Sequence, residues 1–225
     1  MSSKHQQAGF TLVELMVATV MFAVVLIIIL ASFLQVGRMY YKGISYSNTQ
    51  EAARRVSGDL SNDVRFNSSN NYQYVGAIVG GHQQVAGTNT YYFCVGQHRY
   101  VYTLFEKVTA ANISNPLAGI QQTTHNSGCP PPTGDDAEAG TDMRQLLGVD
   151  MQLNRLSFVC ANDICNIGMH IIFYGADSLV FTSPSDPGLT PQQALRASDA
   201  RCTGALVSSQ FCAAVDLNTT VLARQ

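Results

Sequence analysis

Three sets of side chains in this sequence have the types and spacing to do chemistry: six cysteines, five histidines and one cluster of acids. Cys94, Cys129, Cys160, Cys165, Cys202 and Cys212 are even in number and contain no Cys-x-x-Cys pair, which favours disulfides in an oxidising compartment over zinc. Six cysteines allow 15 connectivities. The expected set joins nearest neighbours, Cys94 to Cys129, Cys160 to Cys165 and Cys202 to Cys212, each bridge contributing about 2–4 kcal/mol. Asp135, Asp136, Glu138 and Asp142 supply oxygens, but their spacing does not fit a calcium loop and reads as a solvated acidic segment. His5, His82, His98, His125 and His170 form neither a His-x-x-x-His pair nor a Glu-flanked one, so each is expected at the surface or in packing. The sequence has no Gly-x-Ser-x-Gly, no phosphate-cradling glycine loop and no catalytic dyad. No catalytic residue, metal, cofactor or small-molecule substrate is expected.

The elements that must hold these residues are unusual in composition. The chain has 225 residues, of which 12% are charged, about half the ~25% of soluble domains. A net charge of -2 leaves no electrostatic footprint for nucleic acid, and Arg144, Arg155, Arg196 and Arg201 are scattered, so direct nucleic-acid binding is not expected. Between Gly9 and Gly37 the only charge is Glu14, and the 22 residues from Leu15 to Val36 carry none. As a helix that run reaches ~33 Å, enough to cross a ~30 Å hydrocarbon layer. It is longer than a signal-peptide core, carries an acid near its start and lacks a small-residue cleavage site, which argues against a secretory signal. A carboxylate at the head of such a helix is costly in lipid, so it implies a neutralising partner or a place near the helix start where the dipole favours it. Lys4 flanks one end and Arg38 and Lys42 the other, so charge does not set the orientation.

Past the apolar run, Tyr40, Ile44, Ala52, Val56, Leu60 and Val64 fall on one i, i+4 row, which predicts an amphipathic helix packed on a domain. Continuous from Phe10 to about Arg65, the helix has 56 residues and spans ~84 Å. Arg54 and Arg55 read as a solvated face. Strands are predicted at Tyr72–Val79, Thr90–Val95, His98–Glu106, Gln152–Cys160 and Met169–Tyr174, with hairpin turns at Val95–His98 and Cys160–Cys165. Pro116–Asp142 reads as a long loop, and the tail after Ser183 as loop with short helices near Pro191–Ser198. A long helix followed by an antiparallel sheet is α+β.

Gly9-Phe10-Thr11-Leu12-Val13-Glu14, with a short polar leader before it and the apolar run after it, resembles the type IV prepilin cleavage and methylation motif. The resemblance implies that prepilin peptidase cuts between Gly9 and Phe10, that Phe10 is then N-methylated, and that Glu14 pairs with the amino terminus of a neighbouring subunit as a register device. It also implies a type IV pilin-like fold and an organisation into a leader (1–9), a transmembrane helix (10–36), an amphipathic second half (37–66) and a periplasmic or extracellular sheet domain (67–225). The run Gln50–Leu60, the length and the six cysteines are most similar to PilW-like minor pilins. Such a subunit starts in the inner membrane and ends in the pilus at the cell surface. It contacts other minor pilins and the major pilin to initiate or cap assembly, and so supports adhesion, twitching motility or DNA uptake. Two rivals share parts of this pattern: a minor pseudopilin of a type II secretion system, and a membrane-anchored periplasmic ligand-binding protein or enzyme.

Overall fold

The computed structural model describes residues 11–66, 83–85, 87–115, 117–124, 129, 131–132, 143–161, 164–175, 181–203 and 211–222. The chain divides into two compact units, Met1–Tyr40 and Tyr41–Gln225. Helix α1 spans Leu12–Phe66, 55 residues. In the first unit its apolar side chains bury nothing against the protein, and almost every described residue is exposed.

In the second unit, α1 turns a narrow stripe inward. Val56, Leu60 and Val64 are fully buried and Ala52 is buried, as the i, i+4 row predicts, and Ala53 beside that row is fully buried too. Tyr40 and Ile44 depart from that row and are exposed; Ser45 and Thr49 are buried in the following turns instead. A period of 3.6 is not 4, so a strict i+4 row drifts around the helix over several turns. Both buried hydroxyls are satisfied within the helix, Ser45 Oγ donating to Tyr41 O at 3.1 Å and Thr49 Oγ1 to Ser45 O at 2.7 Å. Arg54 is exposed, and Arg55 pairs with Glu51 at 2.7 Å on the same face.

Ten strands are described: β1 (Gln83–Gln84), β2 (Thr90–Val95), β3 (His98–Thr103), β4 (Ile120–Thr124), β5 (Arg144–Gln145), β6 (Met151–Ala161), β7 (Ile164–Tyr174), β8 (Phe181–Thr182), β9 (Arg201–Cys202) and β10 (Cys212–Leu222). They form an antiparallel sheet β1-β2-β3-β4-β5, a second sheet β10-β7-β6 and a small pair β8-β9. A short helix α2 (Pro191–Leu195) lies between β8 and β9, its start capped reciprocally by Thr190 and Gln193. This α+β order, with the amphipathic part of α1 packed on antiparallel sheets and disulfides tying strands to one another and to a connection, fits a type IV pilin-like fold.

One core joins α1 to both sheets. Leu60 and Val64 pack in a cluster with Phe93, Tyr100 and Ile120 of the first sheet and Leu153, Ile167, Met169 and Ile171 of the second. Phe93 stacks on Tyr100 at 5.3 Å and on Phe158 at 5.1 Å, so the aromatic stack bridges the sheets. The connection after β3 also links them, with Phe105 N donating to Leu153 O at 2.9 Å and Val108 N to Met151 O at 2.8 Å. At the end of α1 the buried Asp63 accepts from His98 Nδ1 at 2.7 Å, from Gln122 Nε2 at 3.2 Å and from the Tyr100 hydroxyl. Burial, reinforced by the Asp63 charge, holds the Tyr100 phenol far above its ordinary range.

Several sequence expectations change here. β3 stops at Thr103 instead of reaching Glu106, because Phe105 sits at φ 62 and turns the chain. β7 begins at Ile164, five residues before the predicted Met169. Pro116–Asp142 is not loop throughout, since β4 lies inside it. Among the described residues after Ser183, loop does not predominate, since the 11-residue β10 closes the second sheet. Tyr72–Val79 lies outside the described residues.

Candidate functional site

The start of α1 is built by a reciprocal cap. Thr11 N and Thr11 Oγ1 each donate to Glu14 Oε2 at 3.0 Å, while Glu14 N donates to Thr11 Oγ1 at 3.3 Å. Leu15 N to Thr11 O at 3.2 Å then opens the helical ladder. This is a capping box, in which two otherwise orphaned donors are satisfied by one threonine and the acid three residues on. The function of Thr11 is missed by a reading that looks only for charge, although the Thr-x-x-Glu spacing carries the signal.

Beyond the cap, the apolar segment has a window of mean hydropathy 3.0 that is 0% buried within the protein. The hydroxyls inside it are folded back on the helix, Thr19 Oγ1 donating to Met16 O at 2.9 Å and Ser32 Oγ to Ile28 O at 2.8 Å. Such a surface suits hydrocarbon, where unsatisfied donors are costly. Glu14 is the one ionisable group on it, in the first turn, where the helix dipole favours a negative charge.

Residues 4–30 match the prokaryotic N-terminal methylation motif. No curated protein and no solved structure matches the chain. The methylation motif and the apolar helix that continues it support a type IV pilin or pseudopilin, held in a membrane and then assembled. Of the matched residues, 11–30 are described; Gly9 and Phe10 lie outside the described residues.

The remaining candidates are spread over the second unit. The cysteines form Cys94–Cys129, Cys160–Cys165 and Cys202–Cys212, with sequence separations of 35, 5 and 10. Cys160 and Cys165 stand directly opposite across β6 and β7, while Cys202–Cys212 ties β9 to the start of β10. His98 belongs to the Asp63 cluster. His170 is 1% exposed, with Nδ1 at 2.7 Å from Asp216 Oδ1 and Nε2 at 2.8 Å from Ala200 O. Arg144 pairs with Asp59 at 3.3 Å and Arg155 with Asp216 at 3.1 Å, in different sheets. The acids Asp135, Asp136, Glu138 and Asp142, and His5, His82 and His125, lie outside the described residues.

Proposed function

We propose that this chain is a minor type IV pilin, similar to PilW-like subunits, whose sheet domain contacts other minor pilins and the major pilin to initiate or cap a filament. Residues 1–9 act as a leader that prepilin peptidase removes between Gly9 and Phe10, and Phe10 is then N-methylated. Residues 10–36 cross the bacterial inner membrane once, 37–66 form the amphipathic half of the helix, and 67–225 are the domain outside that membrane. Glu14 pairs with the amino terminus of a neighbouring subunit as the helix enters the filament, and the filament serves adhesion, twitching motility or DNA uptake.

The observation that carries this reading is the methylation motif at residues 4–30, running into a helix whose apolar surface has no partner within the chain. A carboxylate on such a surface is expensive unless a positive group neutralises it. The test is intact mass and amino-terminal sequencing of the chain recovered from its native membrane, with and without active prepilin peptidase. The expected product begins at N-methylated Phe10 only when the peptidase is active. A chain still beginning at Met1 or Ser2 overturns the reading. Co-purification with secretion components instead of pilus subunits moves it to a type II secretion pseudopilus.

A further inference from the structure

The outward face of the sheet β10-β7-β6 is laid out in cross-strand rows. The row Gln152, Ile172, Ala214 lies towards the segment that carries α2: Ile172 and Ala214 join a small core with Phe181 and Ala194. Gln152 Nε2 donates to Leu195 O at 3.1 Å, and Asn154 Nδ2 donates to Leu195 O at 2.6 Å and Ala197 O at 2.7 Å. Next comes the row Arg155, His170, Asp216, where the charges are committed to one another. Beyond it stand Ser157, Gly168 and Asn218, and then Val159, Asn166 and Thr220.

Gly168 makes the third row a notch. It sits inside an 11-residue central strand, where glycine weakens pairing and marks a place that another group approaches closely. The Asn218 carboxamide leans over this glycine: a Cβ there would lie 2.8 Å from Asn218 Oδ1 and 3.8 Å from Ser157 Cβ, so any side chain would push the amide out of its place in the lining. The resulting open groove has a volume of ≈ 590 Å³, within the ~300–1,000 Å³ of small-molecule sites, and Arg155, Ser157, Asn166, Gly168, Asn218 and Thr220 line it.

The chemistry of the lining selects the ligand. Asn166 Oδ1 accepts from Thr220 Oγ1 at 2.8 Å, which leaves the Asn166 amide hydrogens to donate outward. The Ser157 hydroxyl and the Asn218 amide have no hydrogen-bond partner among the described residues. The groove therefore offers mixed donors and acceptors with no uncommitted charge, since Asp216 answers Arg155. Exposed Val159, Ile164 and Leu222 continue the same face and suit the C–H surface of a ring.

We propose that this notch binds a neutral saccharide. A shallow groove without aromatic rings holds such a ligand weakly, near millimolar Kd. This proposal is independent of the pilin reading: processing at Gly9 and Phe10 succeeds or fails without it, and sugar binding does not require assembly.

The test uses the full chain in micelles of a sugar-free amine-oxide detergent and saturation-transfer NMR with cellobiose, maltose, lactose, chitobiose and glucuronic acid. Each is supplied at about 5 mM, which fills most sites if Kd is near 1 mM. Transfer to at least one neutral disaccharide is expected. Ser157→Ala and Asn218→Ala should each weaken it about 3–10-fold, the usual net value of one hydrogen bond. Gly168→Ser should abolish it by displacing the Asn218 amide, while Glu51→Gln, on α1, should leave it unchanged. No transfer to any neutral disaccharide from a chain with intact far-UV circular dichroism overturns the proposal. So does binding that neither alanine variant weakens, or a preference for glucuronic acid over every neutral sugar.

Discussion

The capping box at the start of α1 allows the two roles of Glu14 to be separated by a pair of conservative substitutions. Thr11→Val removes the hydroxyl that receives Glu14 N at 3.3 Å and donates to Glu14 Oε2 at 3.0 Å, but keeps the negative charge. Glu14→Gln does the reverse, because glutamine also serves at the third position of a capping box. Loss of an amino-terminal cap costs about 0.5–2 kcal/mol, a roughly 2- to 30-fold effect. Removing one partner of a buried charge pair costs about 3–5 kcal/mol, a hundred-fold to several thousand-fold effect. If Glu14 works by pairing with a neighbour's amino terminus, Glu14→Gln should deplete the chain from sheared filaments by at least a hundred-fold, and Thr11→Val by no more than about thirty-fold. The assay is quantitative immunoblotting of filament and membrane fractions, with intact mass showing that both variants are processed like the parent. If Thr11→Val is as damaging as Glu14→Gln, or Glu14→Gln assembles normally, the charge-pairing argument is wrong and the carboxylate serves the helix end alone.

Two further predictions concern the second unit. Leu60→Ala, at a fully buried position in the core that joins α1 to both sheets, should lower unfolding free energy by about 2–5 kcal/mol in a urea titration with unchanged slope; a loss below 1 kcal/mol would mean the helix is not docked as described. Hydroxyl hydrogen bonds from Ser185 and Ser183, with a backbone bond from Ser185, hold the Asp199 carboxyl down to about 2. Its folded value is depressed, so its stabilising contribution is present above the ordinary value of 3.8 and is lost as pH falls towards 2. Amide hydrogen exchange in residues 181–202 should accelerate over that window, and Asp199→Asn should remove the dependence.

Much of this architecture is written in local pattern, and the rest depends on pairing. Thr90–Val95 is a continuous run of β-prone and aromatic residues, and it appears as β2 with the predicted bounds. Ala52, Val56, Leu60 and Val64 show their helical period directly, whereas Ser45 and Thr49 enter the interface as small polar residues that no hydrophobic pattern marks. β4, with its Gln-Gln-Thr-Thr sequence, has little apolar signal because only one end of it is buried. β10 contains Asp216, Asn218 and Thr220, which face outward and break the hydrophobic run. At the amino terminus the signal is local, which is why Glu14 stands out in the sequence. The groove is the opposite case: Gly168 looks like a turn residue until Ser157 from the preceding strand and Asn218, fifty positions further along the chain, are paired to its two sides.

The position of β10 sets an order of events as the chain is made. Every other described element precedes it in the chain, yet it pairs along the whole length of β7, from Cys212 opposite Tyr174 to Leu222 opposite Ile164. While the chain emerges amino terminus first, β6 and β7 can meet as a hairpin, but β7 keeps one bare edge and His170 has no Asp216. Exposed edges of this kind invite pairing with other chains. The second sheet is thus completed only after residue 222 has emerged, and the interval before that is when the nascent domain is most open to wrong partners.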